Sequence, residues 1–276
     1  MTNKKIAVIG GDKRMLFAAA ELFEAGYGVY LCGFDRLKSL GGLRQADAED
    51  ALSECGIAAL PVTGLRDGKI PCGFGCDDID FKTIESLLAD KLVFCGRGSC
   101  KNSYDILSDE DFLLNNAVPT AEGALLEAMK NYEDDIAGSD ALVIGYGRIG
   151  AALSRLMRAV GARVTVSTRS ARKSVMISRD GNTPVCTAGL DTLDGFDIVF
   201  NTADALVIDR AVLENTTGDP VIIDLASAPG GADLDVAKDL GFTVVQALAL
   251  PGRYSPKSAG RAIFEVIDKK IRGEYA

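Results

Sequence analysis

The sequence predicts an α/β protein made of two doubly wound domains, the N-terminal one the smaller. Three observations predict it. Short β-branched runs alternate with segments of helical periodicity along 276 residues, a length that suggests about two domains. One of these units, Ala141 to Ser170, places a glycine triplet between its first strand and its helix. Another strand, turn, helix and strand open the chain at Lys5.

The central unit reads ALVIGYGRIG, then AALSRLMRAVGA, then RVTVSTRS. Its GxGxxG spacing, in this context, is the fingerprint of a Rossmann NAD(P)-binding domain. Gly145 lets the chain turn out of the strand, Gly147 lets the backbone approach a pyrophosphate, and Gly150 lets the helix lie tight on the sheet. The pyrophosphate would sit at the helix start, beside Tyr146, Arg148 and Ile149, where unpaired N–H groups and the helix dipole favour an anion. Ala151, Leu153, Leu156, Met157 and Val160 form the apolar stripe of that helix, and Gly161 stands where a glycine would end it.

The next strand ends at Thr168-Arg169-Ser170, where an NAD-binding fold carries an acid for the ribose 2′-hydroxyl. No acid stands there. Arg169, Arg172 and Lys173, with the neighbouring hydroxyls, suit a 2′-phosphate, so the expected cofactor is NADP. The other reading makes them solvated loop cations. Ala141 to Arg179 holds eight cations and no acid, leaving −17 for the rest of a chain of net charge −9. A positive field inside an acidic protein suits a multiply phosphorylated ligand.

Composition excludes several classes. A pI near 4.7 argues against a nucleic-acid partner. No apolar run approaches the roughly 18 residues of a membrane span, and MTNKKIAVIGG enters a strand almost at once, so a cytoplasmic protein is expected. Seven cysteines without a secretory signal read as free thiols. With no histidine anywhere, Ser-His-Asp triads and histidine metal clusters are impossible, and no metal site is expected. Proton transfer must use Asp, Glu, Lys, Tyr, Cys or water.

In chain order, Lys5 to Gly11 is a buried-type strand, Leu16 to Gly26 a helix and Val29 to Phe34 a second strand. The turn lacks a third glycine, which disfavours a second dinucleotide site. Gly10, Gly11, Asp12 and Arg14 would offer N–H groups and charge to a substrate carboxylate, or form a plain tight turn with Asp12 capping the helix. Ala48 to Cys55 is helical, Ile57 to Val62 a third strand, Pro71 to Gly75 an exposed loop, Asp80 to Ala89 a helix and Leu92 to Cys95 a fourth strand. Arg97, at the C-terminal end of that strand, is placed to clamp a carboxylate. Phe112 to Asn116 reads as a short fifth strand. Thr120 and Glu122 open a helix to Tyr132, either as cap and first-turn acid or as residues of a cleft between the domains.

Beyond the glycine unit, Asp197 to Phe200 and Val221 to Ile223 are strands. They lead into Asn201-Thr202-Ala203 and Asp224-Leu225-Ala226-Ser227, which would pass near the ribose and nicotinamide. Phe242 to Gln246 is a further strand. Ser255 as N-cap, Pro256 at the first position and apolar Ala259, Ile263, Val266 and Ile267 specify a final helix. The domains then run 1–118, a flavodoxin- or Rossmann-like substrate domain completed by helix 255–276, and 119–254, the NADP-binding domain.

This layout is similar to that of the D-2-hydroxyacid dehydrogenases. The local wording is closer to another family. IAVIGGDKR, GFD at Gly33 to Asp35, NAVPTAEGAL from Asn116, GYGRIG, TRSA from Thr168, IIDLASAPGG from Ile222 and LPGRYSPKSAG from Leu250 resemble the A subunit of dipicolinate synthase, in register over nearly the whole chain. The resemblance implies an NADP-dependent oxidoreductase that makes dipicolinate, pyridine-2,6-dicarboxylate, from a dihydrodipicolinate-level intermediate during sporulation. It also implies a mother-cell location and a flavoprotein-like B subunit of dipicolinate synthase as partner; a homodimer is expected. Two substrate carboxylates require cations or N–H nests, for which Arg14, Arg97, Arg253, Lys257 and the turns at Gly10-Gly11 and Thr120 are candidates. Glu122 or Lys257 would move the proton, although Lys257 also reads as a surface residue in a first helical turn. Another NADP-linked 2-hydroxy- or imino-acid oxidoreductase, or a nucleotide-binding subunit silent without its partner, fits the same scaffold.

Overall fold

The computed structural model describes residues 4–38, 41–96, 100, 103–227 and 230–273. The chain divides into two compact units, Met1–Asn116 with Ser255–Ala276, and Ala117–Tyr254.

The first unit begins with β1 (Lys5–Ile9), α1 (Lys13–Glu24), β2 (Gly28–Cys32), β3 (Arg44–Gln45), α2 (Ala48–Glu54) and β4 (Ile57–Ala59). A hairpin of β5 (Lys69–Ile70) and β6 (Ile79–Asp80) follows, then α3 (Phe81–Ile84), β7 (Leu92–Cys95) and β8 (Tyr104–Asp105); α4 (Glu110–Asn131) starts in this unit and continues past Ala117, the first residue of the second. The sheet order is β3-β2-β1-β4-β7-β8, with every pair parallel. That is the Rossmann order, reversing between β1 and β4, rather than the flavodoxin order. Ile6 and Val8 pack on one face with Met15 and Leu22 of α1, and Ala7 and Ile9 pack on the other with Leu52 and Ile84. Burial of both faces is why β1 is an unbroken apolar run.

The second unit contains β9 (Asp140–Ile144), α5 (Arg148–Ala159), β10 (Arg163–Thr168), α6 (Ala171–Arg179), β11 (Thr183–Cys186) and β12 (Ile198–Asn201). It continues with α7 (Arg210–Asn215), β13 (Val221–Asp224), α8 (Leu234–Asp239), β14 (Val244–Gln246) and α9 (Leu250–Tyr254). Its sheet, β11-β10-β9-β12-β13-β14, is again parallel throughout and reverses between β9 and β12. Val143 and Val166 bury one face with Leu153 and Met157 of α5, while Leu142 and Ile144 bury the other with Leu213 and Val236. The last helix, α10 (Pro256–Arg272), belongs to the first unit, where Ile263, Val266 and Ile267 share a core with Ala18 and Leu22 of α1. Ser255 holds its N-cap position without a side-chain bond.

Three sequence expectations give way. Phe112 to Asn116 is helix, not strand, and the edge of the first sheet is β8 instead. Thr120 caps nothing: α4 starts ten residues earlier, at Glu110, where Asp109 Oδ1 accepts the Phe112 N–H at 2.9 Å. The helix runs through Pro119 because Ala117, Ala121, Ala124 and Ala128 form a buried stripe at helical spacing, which outweighs one lost backbone bond. The stretch from Pro71 to Gly75 is not an exposed loop either. Cys72 is buried, and Pro71 O and Gly73 N–H bond Gly11 at 2.6 and 3.0 Å. Among the described residues no helix is long and apolar enough to cross a membrane.

Candidate functional site

A cavity of about 720 Å³ opens at the C-terminal edge of the second sheet, where the strand order reverses. Its floor is Ile144 to Gly147, one wall is Thr168 to Ser170 with Lys173, and the other is Thr202 to Val207, closed by Thr187 and Ala188. Eight residues singled out from sequence therefore meet here: Gly145, Tyr146, Gly147, Thr168, Arg169, Ser170, Lys173 and Thr202.

The three glycines have different structural reasons. Gly145 has φ +95°, a left-handed conformation that glycine adopts freely. A Cβ on Gly150 would collide with the Gly145 carbonyl oxygen, so a glycine there lets α5 start against the strand end. A Cβ on Gly147 would meet no protein atom within 4 Å; it would point into open space beside the cavity floor. Gly147 is also the N-cap of α5 and brings no side chain to its first N–H groups. Thr202 Oγ1 donates to Ile144 O at 2.9 Å and fixes the far wall to the floor.

Positive charge stands on the opposite wall. Ser170 caps α6, its Oγ accepting the Lys173 N–H at 3.4 Å, and Thr168 Oγ1 accepts the Ser170 N–H at 3.2 Å. Arg169 and Lys173 are exposed, and among the described residues neither has an acidic partner. By contrast, Arg155 and Arg163 of the same basic segment pair with Asp180 and Asp140 at 3.0 and 2.6 Å. Of the segment's cations, Arg169 and Lys173 are the two that line the cavity.

Other expected contacts lie elsewhere. Arg148, Ile149 and Gly150 form the first turn of α5 and do not line the cavity. Asn201 and Asp224 are fully buried below it, and Leu225 and Ala226 direct their N–H groups to Asn201 O and Asp224 Oδ1. These four brace the strand ends and are not among the residues lining the cavity. Thr187, Ala188 and the wall from Asp204 to Val207 carry no signal in the sequence reading; the rule that places ligands at strand C-termini finds Thr187 only once β11 is known to be a strand.

In the first unit the Gly10-Gly11 turn cannot hold a carboxylate as expected, since its N–H groups donate to Cys32 O and Pro71 O at 2.8 and 2.6 Å. Asp12 caps α1 and binds Arg14 through both carboxylate oxygens, the closest contact at 2.7 Å. The charge of Arg14 is thereby matched. Lys257 and Ser258, in the first turns of α10, line a hollow of about 320 Å³ with Asn115, Arg261 and Glu265. In the second unit, Glu122 is exposed on α4, and Thr120 is buried inside that helix. Arg253 pairs at 3.0 Å with Glu127, a buried carboxylate that also accepts the Tyr254 hydroxyl. Arg97 lies outside the described residues.

A family model for the N-terminal domain of the dipicolinate synthase A subunit matches residues 5–103. Over 287 aligned residues, the dipicolinate synthase A subunit of Bacillus subtilis (strain 168) is 30% identical, which covers 98% of this chain and 97% of that protein. The chain belongs to the family of dipicolinate synthase A subunits. A crystal structure of the family member from Bacillus halodurans superposes with a TM-score of 0.90 at 28% identity, covering 97% of each chain. The crystal structure of the Bacillus subtilis member gives 0.88 at 30% identity, covering 99% and 97%. D-lactate dehydrogenase with NAD+ from Lactobacillus jensenii shares the fold of the family alone, at 14% identity and a TM-score of 0.58 over 97% and 96% of the chains.

Proposed function

We propose that this chain is the A subunit of an NADP-dependent oxidoreductase that makes dipicolinate from a dihydrodipicolinate-level substrate during sporulation. It would work in the mother-cell cytoplasm as a homodimer with a flavoprotein-like B subunit. The observation that carries the coenzyme reading is the cavity in which open space beside Gly147 faces two cations without acidic partners. A dinucleotide diphosphate fits such a glycine turn at a helix start, and a 2′-phosphate fits guanidinium, ammonium and capping hydroxyl together. An acid at the end of β10 would have favoured the ribose 2′-hydroxyl; the sequence there is Thr168-Arg169-Ser170.

In this reading Gly147 and the first N–H groups of α5 hold the diphosphate. Arg169, Ser170 and Lys173 hold the 2′-phosphate. When bound, the coenzyme supplies a hydride acceptor. Loss of one hydride and one proton turns a dihydropyridine into an aromatic pyridine, so the product ring favours the reaction and a modest base suffices. Glu122 or Lys257 takes the proton. The first unit is the substrate domain, where Lys257, beside Arg261, meets one carboxylate; Arg97 is the sequence candidate for the other. In the second unit Arg253, half exposed although paired with Glu127, is the sequence candidate for a carboxylate donor.

The test is turnover of dihydrodipicolinate with NADP+, with and without the B subunit. Dipicolinate and NADPH appearing in equal amounts is the expected result. Dipicolinate formed independently of NADP+ would contradict the coenzyme assignment. Turnover of 2-oxo acids with NADPH, and none of dihydrodipicolinate, would move the chain to the 2-hydroxyacid class. NADPH binding with no turnover until the B subunit is added would make it a coenzyme-binding subunit.

A further inference from the structure

Asp180 forms no part of the cavity wall, yet three elements of the second unit meet on its carboxylate. It is the C-cap of α6. Its Oδ2 accepts the hydroxyl of Tyr146, the residue between the first two glycines of the turn, and also Nε and Nη2 of Arg155 on α5 at 3.1 and 3.0 Å. One turn along α5, the Arg158 guanidinium lies over Gly181, where a Cβ would collide with it. The Tyr146 ring is buried in the core of the second unit, so little but its hydroxyl end is left to make polar contacts. The Tyr146 bond holds the Asp180 carboxyl below its usual range, while burial, followed by Asp180, pushes the phenol up. At neutral pH the pair is a phenol donating to a carboxylate.

The other end of α6 is the cation-bearing wall. The helix has nine residues, roughly 13 Å of axis, and begins at the Ser170 cap with Lys173 in its first turn. Strand β10 holds that end and Asp180 ties the far end to the glycine turn. A rod fixed in this way cannot slide or tilt against the turn.

We propose that Asp180 is a positioning residue for a 2′-phosphate: through Tyr146 and Arg155 it sets the spacing between the Gly145–Gly147 turn and the Arg169–Lys173 wall. It thereby sets how strongly the site prefers the 2′-phosphorylated coenzyme. The inference rests on the coenzyme reading given above.

The experiment titrates NADPH and NADH into the full chain, as wild type, Tyr146→Phe, Asp180→Asn and Asp180→Ala, with a thermal melt of each. Tyr146→Phe keeps the ring and removes only the strut, so it decides the matter if Asp180→Ala does not fold. Tyr146→Phe and Asp180→Ala should weaken NADPH about three- to tenfold and NADH less than about twofold. Asp180→Asn, which keeps an acceptor, should fall between. Combined with Arg169→Ala, Tyr146→Phe should lose most of its effect on NADPH, because the two act on one contact. A lower melting temperature with an unchanged NADPH to NADH ratio would make Asp180 a structural residue only and overturn the proposal. Wild-type protein binding neither coenzyme would overturn it as well, and that failure, seen before any substitution, belongs to the coenzyme reading.

Discussion

Asn201 and Asp224 are register partners at the C-terminal ends of β12 and β13, and a 2.8 Å hydrogen bond from Nδ2 to Oδ1 joins their fully buried side chains. The carboxylate also accepts the N–H groups of Ala226 and Gly231, each at 3.1 Å. One buried acid thus fixes the loops that leave two strands beside the cavity. Asp224→Ala would leave one amide hydrogen of Asn201 and two backbone N–H groups without their acceptor and should cost about 3 kcal/mol or more, read as a lower urea midpoint with unchanged slope. Asp224→Asn should cost less. A wild-type midpoint for Asp224→Ala would contradict this.

Gly147 and Gly150 separate binding from folding. Gly147→Ala meets no protein atom and should lower stability by at most ~1 kcal/mol, the difference between glycine and alanine at an N-cap, while weakening coenzyme binding. Gly150→Ala places a Cβ against the Gly145 carbonyl and should destabilise the second unit with or without nucleotide. The thermal melts and nucleotide titrations of the two variants should therefore differ in opposite ways.

In the first unit, Asp12 both caps α1 and neutralises Arg14, whose side chain is 10% exposed. Asp12→Ala removes the cap and strands a nearly buried cation, so about 2–4 kcal/mol should be lost. Denaturant unfolding measures it. A loss below about 0.5 kcal/mol would show that Arg14 finds water or another partner.

Burial pushes the thiols of Cys32 and Cys55 up to about 12 and about 11. Unfolding frees them to ionise near their ordinary value of about 8.5, so above it the unfolded state binds fewer protons than the folded one. The stability gained by burying neutral thiols is full below that pH and is lost as pH rises toward 11 or 12. Stability should fall by roughly 1 kcal/mol per pH unit for the Cys32 thiol above pH ~9, and Cys32→Ala should flatten the slope. At neutral pH a thiol reagent should modify the exposed Cys76 and Cys186 first.

The second unit is legible in the sequence because its signals are local. The glycine turn, the α5 stripe and the basic end of β10 each depend on neighbours within a few residues. What stays hidden depends on long-range contact. β11 contains Pro184, which argues against a strand, but β11 lies at the sheet edge, where a missing N–H is tolerated. Pro119 suggests a helix start, and only the buried alanine stripe shows why α4 passes through it. The Gly10-Gly11 turn looks open to a carboxylate because nothing near it in sequence foretells that Pro71 to Gly73, some sixty residues on, covers it. Arg253 looks like a free cation in the sequence; Glu127, the acid that matches it, emerges from the fold.

Equilibrium titration of NADPH and NADH into the wild type and Arg169→Ala tests the coenzyme site most directly. NADPH should bind the wild type about tenfold or more tightly than NADH, and Arg169→Ala should lose most of that preference while leaving NADH binding nearly unchanged. Equal affinities for the two nucleotides in both proteins would contradict the assignment of the β10 end as a 2′-phosphate site.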